Sequence, residues 1–115
     1  MMELTSKQRK VLEKAAHGLE PLVIVGQNGV TPSLTQMVDG QLKAHELIKV
    51  KFNEFKEERL SLAGQLAQDC RAVLVRVIGN IAILYRESDE PEKRRFRGAI
   101  EKAAKKRRPA AEPRA

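Results

Sequence analysis

Between Leu47 and Phe52 the residues Ile48, Val50 and Phe52 alternate with Lys49 and Lys51, the period-two signature of a strand with one apolar and one basic face. Upstream, Leu22 to Gly26 places apolar residues at successive positions after Pro21, which predicts a short central strand covered on both sides. Two further β-rich runs, Val73 to Ile78 and Ile81 to Arg86, flank the pair Gly79-Asn80, the signal for a hairpin closed by a two-residue turn. Counting back from that turn sets Arg76 opposite Ile83 and Arg86 opposite Val73.

Between these runs the apolar spacing switches to that of helices. Thr5 followed by Gln8 forms a capping-box pattern, and Ser6 to His17 reads as a short helix closed by Gly18. Leu4, Val11, Leu12, Ala15 and Ala16 share one side, with Lys7, Lys10 and Lys14 along the border of the other. In a second helix Leu34, Met37, Val38 and Leu42 recur at helical spacing up to about Ala44. Gly40 weakens it by roughly 1 kcal/mol relative to Ala and suggests close packing there. A third, between Glu57 and Ala72, turns Leu60, Ala63, Leu66 or Ala67, and Cys70 to one side, with Arg59, Gln65, Gln68 and Asp69 largely on the other.

The order α-β-α-β-α-β-β predicts a two-layer α/β sandwich with a mixed four-stranded sheet. Crossovers through helices make the first three strands parallel where they are neighbours, and the hairpin sets the last antiparallel. Residues 1–90 form the expected domain. Residues 91–115 are read as a basic tail, largely disordered or, as the alternative, partly helical in a frayed helix over about Glu92 to Lys106; Phe96 and Ile100 are able to dock, and the end with Pro109 and Pro113 is read as disordered.

Charge adds a second layer to this outline. The formal charge is +7, from 22 Lys and Arg against 15 Asp and Glu. Residues 91–115 hold 10 basic and 3 acidic residues, whereas residues 1–90 hold 12 of each. A neutral body with a cationic tail points to a polyanionic partner, because clustered cations release counterions from nucleic acid; the alternative is a solubilising tail. No apolar stretch approaches the roughly 20 residues of a membrane span, and the N-terminus lacks the apolar run of a secretion signal. The single Cys70 allows no internal disulfide, which fits a reducing cytoplasm.

The chemistry of the chain centres on Val25-Gly26-Gln27-Asn28-Gly29-Val30-Thr31-Pro32, where an apolar run ends in a Gly-x-x-Gly turn. Thr31 is placed to cap the following helix and Pro32 suits its first turn, so backbone N–H groups of the turn lie at a positive helix end. By itself the pattern also fits an ordinary strand-to-helix turn. Val30 stands where a Walker loop needs Lys, and the third Gly of a dinucleotide fingerprint is absent. His17 and His45 sit near the ends of different helices without a second ligand at metal spacing, and Glu57-Glu58 and Asp89-Glu90 suit helix starts rather than paired catalysis. No catalytic, cofactor or metal constellation emerges. Nor do the few aromatics form the paired motif on adjacent strands that stacks bases, which leaves backbone recognition by the turn and lysines as the main mode.

Four stretches together resemble one family. They are Leu4-Thr5-Ser6-Lys7-Gln8-Arg9, Val25-Gly26-Gln27-Asn28-Gly29-Val30-Thr31, His45-Glu46-Leu47-Ile48-Lys49-Val50-Lys51, and Val77-Ile78-Gly79-Asn80 through Ile83-Leu84-Tyr85-Arg86. The chain is similar, from about Leu4 to Arg86, to the CRM domain (chloroplast RNA splicing and ribosome maturation) in its short bacterial stand-alone, YhbY-like form. The resemblance implies a fold like the C-terminal domain of translation initiation factor three, RNA binding without catalysis, and association with precursors of the large ribosomal subunit. Its RNA-binding residues would be Gly26, Gln27, Asn28, Gly29 and Thr31, with Lys7, Lys10, Lys14, Lys49 and Lys51. Gln27 departs from relatives that carry a basic residue in the loop. The resulting expectation is a monomeric cytoplasmic protein that binds ribosomal RNA, with no membrane or small-molecule substrate. The rivals are a protein adaptor with a basic surface, a general RNA-binding regulator, and a phosphate-binding enzyme that would need an acid or base near Gly29.

Overall fold

A computed structural model describes residues 3–103. Helix α1 (Ser6–Ala16) is followed by β1 (Val23–Val25), α2 (Pro32–His45), β2 (Leu47–Phe52), α3 (Arg59–Asp69) and the hairpin β3 (Val73–Ile78) and β4 (Ile81–Tyr85). A 3-10 turn at Pro91–Lys93 leads to a last helical stretch, α4, over residues 97–103. Residues 104–115 of the expected tail, with Pro109 and Pro113, lie outside the described residues.

The capping box at the start of α1 forms as its sequence predicts. Gln8 N–H donates to Thr5 Oγ1 at 3.2 Å, and Thr5 N–H donates to Gln8 Oε1 at 2.8 Å. Two of the orphan donors at the helix start are thereby satisfied.

The four strands form one mixed sheet in the order β1-β2-β4-β3. β1 runs parallel to β2, while β4 is antiparallel to both β2 and β3. The first three strands therefore point the same way, with β4 inserted between β2 and β3. This order corrects the reading of β1 as central. It is an edge strand, with Val23 and Val25 buried and Ile24 left 53% exposed. A run of consecutive apolar residues does not require two covered faces when one face is partly open.

Alternation along β2 and β4 divides the core. Ile48, Val50, Phe52, Ala82 and Leu84 meet Val38 and Leu42 of α2 and Ala63, Leu66 and Ala67 of α3. Leu47, Ile83 and Tyr85 point the other way, against Leu12 and Ala16 of α1 and Ile100 of α4. The sheet of the expected sandwich thus carries a further partial layer on its second face. Phe96 and Ile100 do dock, and the Phe96 ring stands edge-on to Tyr85 with centroids 6.1 Å apart.

Three local expectations are also revised. Val73 pairs with Tyr85 rather than Arg86, because a bulge between Leu74 and Arg76 admits Val75 as an extra residue, although Arg76 does face Ile83. The Arg9 guanidinium stabilises that irregularity by donating to Leu74 O at 2.7 Å and Val75 O at 3.0 Å. Leu60 is 65% exposed, since α3 begins only at Arg59 and turns Ala63 and Leu66 inward, with Leu62 partly buried. A Cβ on Gly40 would meet nothing within 4 Å, so close packing does not account for this glycine.

Glu46 is the one buried charged residue among the described residues, and it joins α2 to the C-terminal segment. Its φ of 66° turns the chain out of α2 while its N–H donates to Leu42 O. Its carboxylate accepts Ser88 N–H at 2.6 Å and Arg95 N–H at 2.8 Å, and its carbonyl accepts Arg86 N–H. Burying a carboxylate is tolerable here because backbone donors satisfy it. Glu46→Ala leaves both donors unpaired and is expected to cost about 2–3 kcal/mol in urea unfolding, with faster amide exchange over 88–95.

Tyr85 presents the converse case, a hydroxyl buried without a hydrogen-bond partner among the described residues. Burial, then the negative charges of Glu46 and Glu87, pushes its phenol well above the ordinary 10.0. When the folded value lies above the unfolded one, stability is intact below the unfolded value and falls as pH rises past it. Tyr85→Phe is expected to be neutral or up to ~1 kcal/mol stabilising at neutral pH. Unfolding curves above pH 10 should show a shallower alkaline decline than in the parent protein.

Candidate nucleic-acid interface

The Gly-x-x-Gly segment forms a tight turn between the end of β1 and the start of α2. Gly29 N–H donates to Gly26 O at 3.0 Å, which puts Gln27 and Asn28 at an exposed tip. Among the described residues the N–H groups of Gln27 and Asn28 take no protein acceptor. The glycines differ in their reasons. Gly29 adopts φ +70°, whereas Gly26 has no left-handed conformation and open space where a Cβ would lie. Thr31 caps α2 by accepting Leu34 N–H at 3.1 Å, and Pro32 occupies the first turn. Thr31 therefore shapes the helix start that backs the tip.

Neighbouring segments brace this turn. Val25 O accepts Asn53 N–H at 3.0 Å and Glu54 N–H at 3.3 Å. The Phe55 ring comes within 3.3 Å of the position a Cβ on Gly29 would take. Phe52 N–H donates to Asn80 O at 2.8 Å, and Arg59 Nε donates to Gly79 O at 2.6 Å. The glycine turn, residues 53–58 and the hairpin tip thus share one end of the sheet.

The five expected lysines are not equivalent. Lys7, Lys10 and Lys14 lie on α1, and Lys51 is exposed between Ile24 and Ile81 in the sheet register. Lys51 alternates with the buried Val50 and Phe52, so it lies on the face that α1 crosses. Lys49 points to the same face, but its Nζ donates to His17 O at 3.3 Å and Leu19 O at 3.0 Å. It offsets the negative end of α1. Of the five, those whose side chains take no ion-pair partner and no carbonyl among the described residues are on α1 and at position 51, to one side of the sheet, while the glycine turn lies at its end.

Other polar groups have structural duties. At the opposite end of the sheet a cleft of about 830 Å³ is bordered by Asp39, Lys43, Arg71 and Lys93. Across it, Arg86 donates to Asp39 Oδ1 at 2.6 Å and to Cys70 O at 2.8 Å. Burial, then the Asp39 charge, raises the Cys70 thiol above its ordinary 9.0, the reverse of what a nucleophilic cysteine requires. His17 ends α1 and His45 ends α2. Among the described residues, no helix is long and apolar enough to cross a membrane.

The segment that runs from α1 to β4 has counterparts in known proteins. The model of the CRS1 / YhbY (CRM) domain matches residues 4–86. The chain belongs to the CRM domain family. It is 37% identical over 93 residues to a probable RNA-binding protein of Pseudomonas aeruginosa, covering 80% of this chain and 89% of that one. A probable RNA-binding protein of Bacillus subtilis is 39% identical over 88 residues, covering 76% and 92%. An RNA-binding protein of Haemophilus influenzae is 36% identical over 91 residues, covering 78% and 92%. The solution structure of a Staphylococcus aureus protein, described as a candidate RNA-binding protein, superposes with a TM-score of 0.68 at 35% identity. That match covers 81% of this chain and 98% of that chain.

Within this CRM domain, sequence reasoning located the glycine turn and missed Phe55 and Arg59 as its supports. The signal available for Phe55 was an isolated aromatic in a charged loop, which carries no periodicity. The two glycines provide a direct check on the geometry. Gly29→Ala meets both the left-handed φ and the Phe55 ring and is expected to destabilise the domain by about 1–2 kcal/mol. Gly26→Ala should stay within about 0.5 kcal/mol of the parent in urea unfolding.

Proposed function

We propose that this CRM-domain protein binds RNA without catalysing a reaction, and that it assists assembly of the large ribosomal subunit by contacting precursor ribosomal RNA. The relatives named as RNA-binding proteins support the first part, and the family resemblance read from the sequence supports the second. The observation that carries the reading is the exposed turn Gly26–Gly29, whose tip offers two N–H donors at the head of a capped helix. In the proposed mechanism these donors hold a phosphate, and Lys7, Lys10, Lys14 and Lys51 hold adjoining parts of the strand. Lys49 contributes by keeping α1 in place. The protein acts as a cytoplasmic monomer, and the basic residues after Pro91 add affinity through counterion release.

Salt titration tests the electrostatic part. Lys7, Lys10 and Lys14 replaced together by Gln should lower the slope of log affinity against log salt by about 2, the value for three phosphate contacts on single-stranded RNA. Gln27→Glu with Asn28→Asp adds negative charge at the tip without disturbing Gly29, and should weaken RNA binding in a filter assay while leaving the unfolding midpoint unchanged. In fractionated lysate the protein should sediment with large-subunit precursors and leave them on nuclease treatment. Retention of its partner after nuclease would instead identify a protein adaptor.

A further inference from the structure

We propose that Phe55 is a stacking platform for an unpaired nucleobase beside the glycine turn. This rests on the RNA-binding reading above and adds to it the chemical class of the bound element, a single-stranded nucleotide. Phe55 is an aromatic left 40% exposed in the loop after β2. Its backbone has φ +56°, a left-handed conformation that is unfavourable for a bulky residue. The conformation lays its ring against Gly29, where Cε2 and Cζ come within 3.3 and 3.4 Å of a Cβ position. Glycine at that site admits the ring as well as the positive φ. The aromatic side chain is thereby fixed next to the exposed tip whose N–H groups take no acceptor among the described residues, and a nucleotide held there by its phosphate has its base within reach of the ring.

The charges around the turn show why such a platform would matter. Residues 53–59 carry Glu54, Glu57 and Glu58 against Lys56 and Arg59. The Arg59 guanidinium donates to the carbonyls of Gly79 and Lys56, so it serves the fold. Gln27 and Asn28 add no charge. Beyond the N–H donors of the turn, side-chain charge therefore adds little attraction for an RNA strand at this end of the sheet, whereas stacking is independent of net charge and open to any base. A double-stranded segment offers no free base face, so the platform selects unpaired RNA.

The competing role for Phe55 is to cover the turn, which an aliphatic side chain would also do. Phe55→Leu separates the two. On a single-stranded oligoadenylate its affinity should fall roughly five- to a hundredfold, the range for loss of one stacked base, with an unchanged salt slope. On a base-free ribose-phosphate strand of the same length it should match the parent. Phe55→Trp supplies a second measurement, because the chain has no other tryptophan. It should retain parental affinity, and its fluorescence should be quenched by oligoadenylate and not by the base-free strand. Equal affinity of the Leu variant and parent for oligoadenylate, an equal loss on both strands, or a Trp signal indifferent to bases would overturn the platform while leaving RNA binding intact. A parent protein that binds neither strand would overturn both readings.

Discussion

The insertion of β4 between β2 and β3 governs the architecture of the whole domain. It makes β2 and β4 the central strands, and it fixes which alternate residues face α2 and α3 and which face α1. A shift of one residue in that register would send Lys49 and Lys51 into the main core and bring Val50 out. The same pairing carries the hairpin tip to the end of β2, where Asn80 O accepts Phe52 N–H. The support of the glycine turn is therefore a consequence of sheet order, reached through β2 and the loop that follows it.

The two ends of the sheet are stabilised by different means. At one end, Glu46 and Arg86 bind backbone and side-chain groups of α2, α3 and the segment after β4, so polar residues there close the fold. At the other end the backbone itself is left available, because Gly29 and the cap on α2 form the turn without using the donors at its tip. Side chains that resemble a binding surface by charge alone divide in the same way. Lys49 and Arg59 complete helix and hairpin ends, while the side chains of Lys7, Lys10, Lys14 and Lys51 take no ion-pair partner among the described residues.

Arg9 shows how such side chains also set the strand geometry. Its guanidinium meets the carbonyls of Leu74 and Val75, where the β3–β4 register slips by one residue. Val75 can then enter the α1 side of the core, and Val73 falls opposite Tyr85. The slip and the helix that stabilises it are separated by more than half the chain, so the local hairpin pattern gives no sign of either.

Features set by near neighbours were legible in the order of residues. Period-two alternation gave the faces of β2, the Gly79-Asn80 pair gave the hairpin, Thr5 and Gln8 gave the cap of α1, and the Gly26–Gly29 turn stood out between an apolar run and a helix start. Each of these depends on residues a few positions apart, where backbone geometry and side-chain spacing act directly. Packing of the whole chain was needed to place β1 at the edge, to lay α1 over the second face, to commit Lys49 to a helix end and to set Phe55 against Gly29. Those outcomes require groups distant in sequence to compete for the same neighbours, and burial and hydrogen bonding settle that competition only when every element is in place.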